Sequence, residues 1–270
     1  MTRNLTTYCL VSVVTMCLLA GGALADLLAY EGFNYGSETG LSGKDGGIGF
    51  AGAWTSATHF NELTGDGQSL TMPNLHFTPK GSHLLGTTYT SGSANRADRA
   101  LATTLDWGQD GEYYMSAVYQ RPGQANAKSS IRLLDDQGGT MLRIGLGGNN
   151  KVLLGGSSVE WTDVEFAPGD TYFVVARVVT SQSGNDSIQL KAYGINDVID
   201  LEAPGAWDKV MSVNMNGVAS KLRVELAKEN MAAMDEIRIG TTWESVVVPE
   251  PGAMSLLALG GAVIVKRRKK

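Results

Sequence analysis

Thr171-Tyr172-Phe173-Val174-Val175-Ala176-Arg177-Val178-Val179-Thr180, then Ser181-Gln182-Ser183-Gly184-Asn185-Asp186, then Ser187-Ile188-Gln189-Leu190-Lys191-Ala192-Tyr193, is the stretch that decides the fold. Tyr172, Val174, Ala176 and Val178 recur every second residue, the spacing that places side chains on one face of a strand. Ile188, Leu190 and Ala192 repeat the pattern, with Gln189 and Lys191 pointing the other way. Gly184-Asn185-Asp186 between them has the chemistry of a hairpin loop. The stretch reads as a β-hairpin with a buried face.

Working outward, the same alternation recurs. Leu222, Val224 and Leu226 alternate with Lys221, Arg223 and Glu225, and Ile237 and Ile239 with Glu236 and Arg238. Further strands are expected at Leu70–Phe77, Ala100–Trp107, Glu112–Arg121, Ser130–Asp135, Thr140–Leu146 and Lys151–Leu154. Glycine, 34 of 270 residues, clusters between these segments and marks turns. No segment before Pro249 sustains a 3.6-residue period. Short strands with one polar and one apolar face predict two packed antiparallel sheets in one all-β domain. Trp54, Trp107 and Trp161 are evenly spaced, but their flanks do not match, so no internal repeat is read.

The two ends differ from this middle. Arg3 precedes an uncharged apolar run from Tyr8 to Ala20, closed by Gly21-Gly22-Ala23-Leu24-Ala25. Ala23 and Ala25 fit the small-x-small pattern of signal-peptidase recognition, so residues 1–25 read as a signal helix cleaved before Asp26. The run is short for a spanning helix, which needs about 20 apolar residues. Both cysteines, Cys9 and Cys17, lie inside it. Met16, ahead of Cys17, is the wrong neighbour for lipidation, and the remaining chain has no disulfide or thiolate chemistry.

At the other end, Val248-Pro249-Glu250-Pro251 is followed by Gly252, an apolar run from Ala253 to Val265, and Lys266-Arg267-Arg268-Lys269-Lys270. Thirteen helical residues reach only about 20 Å against a hydrocarbon core of about 30 Å, so this is a poor permanent anchor. Five consecutive cations make a stop-transfer signal retained on the cytoplasmic side. Motif, short hydrophobic helix and basic cluster, in that order, resemble the PEP-CTERM sorting signal. That resemblance implies that a membrane-embedded exosortase recognises Val248, Pro249, Glu250 and Pro251, cuts nearby, and passes the protein to the cell surface. It also implies a Gram-negative host that makes exopolysaccharide.

Removing Arg3 and the five tail cations leaves 16 basic residues against 27 acidic ones, a net charge of −11. Such a surface is no partner for nucleic acid or an anionic membrane. Ala29-Tyr30-Glu31-Gly32-Phe33, the stretch from Gly46 to Trp54, the Thr171–Tyr193 hairpin and Asp235-Glu236-Ile237-Arg238-Ile239-Gly240 resemble exported LamG-like proteins. This implies a concanavalin A-like jelly roll from about Leu27 to Trp243, with its end strands paired. The expected organisation is a signal peptide at 1–25, a β-sandwich at 26–245 and a sorting signal at 246–270.

Catalytic signatures are weak. Gly47-Ile48-Gly49-Phe50-Ala51-Gly52 matches the dinucleotide fingerprint, but no apolar strand precedes it and no helix follows, so it reads as a surface loop. Glu160-Trp161-Thr162-Asp163-Val164-Glu165 nearly matches the Glu-x-Asp-x-Glu strand of jelly-roll glucanases. A retaining mechanism needs two carboxyl groups about 5 Å apart. Here the first spacing is three, which turns Glu160 away from Asp163 and Glu165. His59, His76 and His83 fit no zinc spacing, and no nucleophile elbow occurs. Asp135-Asp136 and Gly184-Asn185-Asp186-Ser187 could offer oxygens to calcium, though turn chemistry explains them more simply. No metal site or cofactor is expected. Trp107, Tyr113, Tyr114, Tyr119 and Trp161 would form a sugar-stacking platform only if they shared one exposed sheet face.

The chain therefore reads as an exported, non-enzymatic surface or matrix protein, either a weak binder of exopolysaccharide or another glycan, or a passive coat. The alternative is a glycoside hydrolase or lyase on the same fold. Expected partners are signal peptidase and exosortase for processing, with a transient stay at the inner membrane.

Overall fold

The computed structural model describes residues 27–248, apart from 37–39, 59–62, 66, 87–94, 121–128, 148–150, 157–158 and 227–231. The expected signal segment, the tail from Pro249 onward and His59 lie outside the described residues. No helix among the described residues is long and apolar enough to cross a membrane.

Among the described residues, fifteen strands build two antiparallel sheets packed as a sandwich. The eight-stranded sheet contains β1 (Leu27–Glu31), β3 (Leu63–Gly65), β4 (Leu84–Gly86), β6 (Gly111–Gln120), β11 (Thr171–Thr180), β12 (Asp186–Tyr193), β13 (Lys209–Val213) and β15 (Ala233–Gly240). Its order is β13-β12-β11-β6-β15-β4-β3, with β1 also on β15. The seven-stranded sheet runs β10-β9-β8-β7-β14-β5-β2. These are β10 (Val159–Glu165), β9 (Lys151–Gly155), β8 (Thr140–Leu146), β7 (Ser129–Leu134), β14 (Val218–Leu226), β5 (Asn95–Asp106) and β2 (Thr55–Thr58). A short helix, α1 (Trp243–Val247), follows β15 and is capped by Thr242, whose side chain accepts from the Ser245 N–H.

The hairpin that opened the reading is β11 and β12, paired from Phe173↔Tyr193 to Val179↔Ser187. The Ser181 N–H donates to Asp186 Oδ1 at 2.8 Å, so the turn is closed by the aspartate. Tyr172, Val174, Ala176 and Val178 enter the core between the sheets with Ile188 and Leu190. The end strands pair as β1 with β15, through Ala29↔Ile239 and Glu31↔Ile237.

Four sequence expectations need correction. Leu70–Phe77 is not a strand: Pro73 offers no N–H, and a turn bonds Leu75 N–H to Met72 O at 3.3 Å. Strand β5 begins at Asn95 rather than Ala100, because its first half alternates Arg96 and Asp98 with buried Asn95, Ala97 and Arg99. The polar-and-apolar two-face rule fails for β6 and β11, where Tyr114, Val118, Phe173 and Val175 are buried on the far face as well. Glu236 and Arg238, expected on a solvated face of β15, are 1% and 7% exposed.

A second core explains the last two corrections. On the outward face of the eight-stranded sheet, Phe173, Val175, Tyr114, Val118 and Tyr193 pack beneath Leu70, Met72 and Phe77 of one loop, Ile199 of another, and Trp243, Val246 and Val247 of α1. The misread segment at Leu70 is thus a lid on the sheet rather than a member of it. Its Leu70 N–H donates to Asp235 Oδ2 at 3.0 Å.

A bulge in β15 organises the polar part of this second core. Asp235 faces Val118 and Arg238 faces Ser116, so β15 carries one residue more than β6 between those pairs. Glu236 absorbs the difference at φ +53, a left-handed conformation that costs a non-glycine residue about 1–3 kcal/mol. Its carboxylate repays this by accepting from Tyr30 O–H at 2.9 Å, Lys80 N–H at 3.1 Å and Arg238 Nη2 at 3.2 Å.

Candidate functional site

The junction with the sorting motif lies in this second core. Val246 and Val247 are buried, and the Val248 N–H donates to Glu244 O at 2.9 Å. Arg238 Nη1 donates to the Val248 carbonyl at 3.1 Å, while its guanidinium stacks 3.9 Å from the Phe77 ring centroid. Val248 is therefore held by the sandwich, and Pro249 follows it directly. The other sorting and stop-transfer residues, Glu250, Pro251 and Lys266, Arg267, Arg268, Lys269 and Lys270, lie outside the described residues, as do Ala23 and Ala25.

The acidic cluster occupies β10, at one end of the seven-stranded sheet. Glu160 sits opposite Leu154 and Glu165 opposite Lys151, with an irregularity between Trp161 and Glu165. Glu160 pairs with Lys209 Nζ of β13 at 3.0 Å, across the rim of the sandwich. Asp163 is fully exposed and lies 3.8 Å from Lys151 Nζ. Each of these two carboxylates has a different lysine from a different strand, so the cluster reads as rim ion pairs.

The aromatic candidates do not form one platform. Trp107 and Tyr119 are wholly buried and Tyr114 is 3% exposed. Tyr119 donates to Ile144 O at 3.1 Å inside the core, and Tyr114 packs edge-on against Trp243. Burial first, then the neighbouring Glu112 carboxylate, raises the Tyr114 phenol above its ordinary range. Tyr113 packs at the core margin, and the Trp161 side chain lies outside the described part.

The remaining sequence candidates have structural partners. The glycine-rich loop lies across β1, with Tyr30 and Ile48 exchanging both backbone bonds at 3.0 Å. A Cβ on Gly49, at φ +77, would meet Leu28 O at 1.8 Å, so the close approach itself requires glycine. Asp186 spends both oxygens on backbone N–H groups, of Ser181 and Met215. Asp135 Oδ1 accepts from Gly139 N–H at 2.6 Å in a tight turn, and His76 and His83 each meet a backbone carbonyl. Among the described residues no group of three His, Cys, Asp or Glu converges on a metal position.

Two buried polar networks escaped the sequence reading. In the first, Glu31 (1% exposed) accepts from Phe33 N–H at 2.8 Å, Tyr35 O–H at 2.6 Å, Trp54 Nε1 at 2.9 Å and Arg99 Nη1 at 2.7 Å. Arg99 also donates to Gly52 O and Asp45 and lies 4.3 Å from the Phe50 ring centroid. Residues from both N-terminal signature stretches thus meet in one knot that fastens β1 to β5.

The second network lies on the outward face of the seven-stranded sheet. Strand register sets Asp98, Arg223, Arg132 and Arg143 side by side on β5, β14, β7 and β8. One rung along, Arg96, Glu225 and Ser130 align on β5, β14 and β7. Glu225, 3% exposed, accepts from Arg96 Nε at 2.7 Å, from Arg143 Nη2 at 3.0 Å and from Arg132 Nη2. Asp98 takes Arg223 in a two-pronged pair at 2.6 and 2.7 Å, and Ser130 Oγ accepts from Arg143 Nε at 3.0 Å. Four guanidiniums therefore share two carboxylates. Burial and the neighbouring positive charges, only partly offset by Glu225, push Arg132 down to about 10, and burial likewise lowers Arg143.

Comparison with known proteins places these observations. The PEP-CTERM protein-sorting motif family matches residues 247–270. No curated protein sequence matches the chain. The globular domain of T. cruzi calreticulin is similar in structure, at TM-score 0.50 and 11% identity, covering 90% of this chain and all of that one. The endo-β-1,4-glucuronan lyase of the fungus Trichoderma reesei gives TM-score 0.47 at 12% identity, covering 80% of this chain and 96% of the lyase. An SAP-like pentraxin of Limulus polyphemus gives 0.39 at 9%, covering 60% and 77%. Of these, the calreticulin likeness bears on the fold, and at such identity on nothing else. The chain carries a PEP-CTERM sorting motif at its C-terminus, behind an antiparallel jelly-roll sandwich.

Proposed function

We propose that this is an exosortase-processed protein of the cell surface or extracellular matrix whose sandwich binds glycan without cleaving it. The observation that carries this reading is the continuity between fold and motif. The last fully buried residue of the second core, Val247, is also the first residue that the sorting-motif family matches, so what the signal delivers is the sandwich itself. Binding rather than turnover is favoured because Glu160 and Asp163, the densest acidic residues, are each engaged by a lysine at an open rim. Glycoside cleavage needs two carboxyl groups held in register about the bond. Binding asks only for hydrogen-bonding and charged groups on a rigid sheet, each worth about 1 kcal/mol, with avidity from many tethered copies.

The test has two parts. In the host, the surface-associated species should lack Met1–Ala25 and Lys266–Lys270 by intact mass, and a full-length surface species would end the sorting reading. Purified protein incubated with the host's exopolysaccharide and with β-glucans should be retained without releasing reducing or unsaturated ends. Release that disappears in Asp163→Ala/Glu165→Ala would establish the enzyme instead.

A further inference from the structure

We infer that the outward face of the seven-stranded sheet, at Arg96, Arg132, Arg143 and Arg223, is a binding site for a polyanionic glycan carrying carboxylate or sulfate groups. The inference deepens the glycan-binding reading and rests on it for the word glycan alone; the anion preference comes from the site. Arg223, Arg132 and Arg143 stand in one row on adjacent strands, with neighbouring strands about 4.8 Å apart. Like charges directly opposite one another destabilise a sheet, yet the row persists with only Glu225 and Asp98 beside it. Two positive charges are left over on a chain whose processed part has net charge −11, so this patch runs against the whole molecule.

The donors are also incompletely used. Each guanidinium has five N–H groups, and the bonds described engage one or two nitrogens of each arginine. Arg132 Nε is buried with no hydrogen-bond partner, an arrangement that is costly unless something supplies an acceptor. Solvent reaches the groups: side-chain exposure is 34% for Arg96, 18% for Arg223 and 13% for Arg132 and Arg143. Planar guanidiniums fixed by neighbouring carboxylates match the two-oxygen edge of a carboxylate or sulfate. Because the charges repeat across strands, a polymer with an anionic group on successive sugars would use several at once. A free ion would use one or two.

Polygalacturonate, dextran sulfate, neutral dextran, the host's own neutral and charged polysaccharides and free sulfate are offered to the processed protein purified from the host envelope, with binding followed by affinity electrophoresis and calorimetry. Retention by one or both charged polymers, weakening as salt rises, is the expected result, with neutral dextran and free sulfate binding at least tenfold more weakly. Arg132→Gln and Arg223→Gln should each weaken the charged polymer about tenfold while melting stays within a few degrees. Should Arg132→Gln fail to fold, the more exposed Arg96→Gln takes its place. Lys209→Gln removes the same charge from the far rim and should change nothing.

Equal weakening by Lys209→Gln would reduce the effect to net charge and overturn the site. Free sulfate binding as tightly as the polymers would leave an ion site and overturn the glycan. Retention of neutral host polysaccharide without the charged polymers would overturn this inference and leave the glycan-binding reading intact. Retention of nothing would end both.

Discussion

Replacing Glu31 by Gln tests whether the knot joining β1 to β5 holds the sandwich closed. The change keeps the shape and removes one charge. If the amide oxygen takes the place of Oε2, it still accepts from Tyr35, Trp54 and Arg99, but the NH₂ group then confronts the Phe33 N–H. A buried donor left unmatched costs about 1–3 kcal/mol. Arg99, only 2% exposed, also loses its buried counter-charge, and breaking such a pair by removing one partner costs about 3–5 kcal/mol. Asp45 still contacts Arg99 at 2.9 Å, but its side chain is 65% exposed and offsets only part of the loss. A net cost of about 4 kcal/mol follows from these ranges. For a domain of this size each kcal/mol lowers Tm by about 2–4 °C, so the melt should fall by about 8–16 °C. The assay is thermal and urea unfolding of residues 26–248 by circular dichroism, with the urea slope unchanged. A double variant that also carries Arg99→Met should lose clearly less than the sum of the two single changes. A single-variant loss under about 1 kcal/mol, or strict additivity, would refute the knot.

Changing Pro249, Glu250 and Pro251 together to alanine should leave the melting temperature of the sandwich untouched and strand a species that retains Lys266–Lys270 in the membrane fraction, read by intact mass. Val246→Ala should cost about 2 kcal/mol, because the side chain is fully buried where α1 packs into the second core; no loss would mean that the fold ends before the helix. Asp235 is raised well above the ordinary carboxylate range, first by burial and then by the negative Glu236. The protonated form is therefore the one the fold favours, fully so below about pH 4 and progressively less as pH rises through the folded value. The stability difference between wild type and Asp235→Asn should shift toward wild type as pH falls from neutral, and a pH-independent difference would contradict the burial argument.

Sequence legibility followed the number of faces each strand buries. The β11–β12 hairpin was readable to the residue at Thr171 and Thr180, because its inward face is uniformly apolar and Asp186 closes the turn locally. The first half of β5 was not, because Arg96, Asp98 and Arg99 make it look like a solvated loop until strand pairing gives each a partner. Leu70, Met72 and Phe77 are as hydrophobic as a strand, and only the second core explains why a loop should be. The five-residue helix α1 is too short for any period to show. The arginine face was visible in fragments: Arg223 and Glu225 stood out as the polar members of one alternating strand. Their partners Arg96, Arg132 and Arg143 come from other strands, and Arg96 lies 129 positions from Glu225. Register, which no local pattern encodes, is what assembles them.

The two outward sheet faces of the sandwich have opposite fates, and this narrows where a ligand can act. On the eight-stranded sheet, Phe173, Val175 and Tyr193 are sealed by the chain's own loops and by α1, so that much of the face is interior, while Arg177 and Glu112 farther along it stay part-exposed. On the seven-stranded sheet, alternation is kept across β5, β14, β7 and β8, and the outward positions hold arginines and carboxylates instead of a second core. The sealing residues include Val246 and Val247, which lead in sequence without a spacer into Val248 and Pro249-Glu250-Pro251. The segment that closes one face is therefore the segment that leads to the export machinery. Of the two, the seven-stranded face, which the chain leaves polar, is the one that suits the proposed binding role.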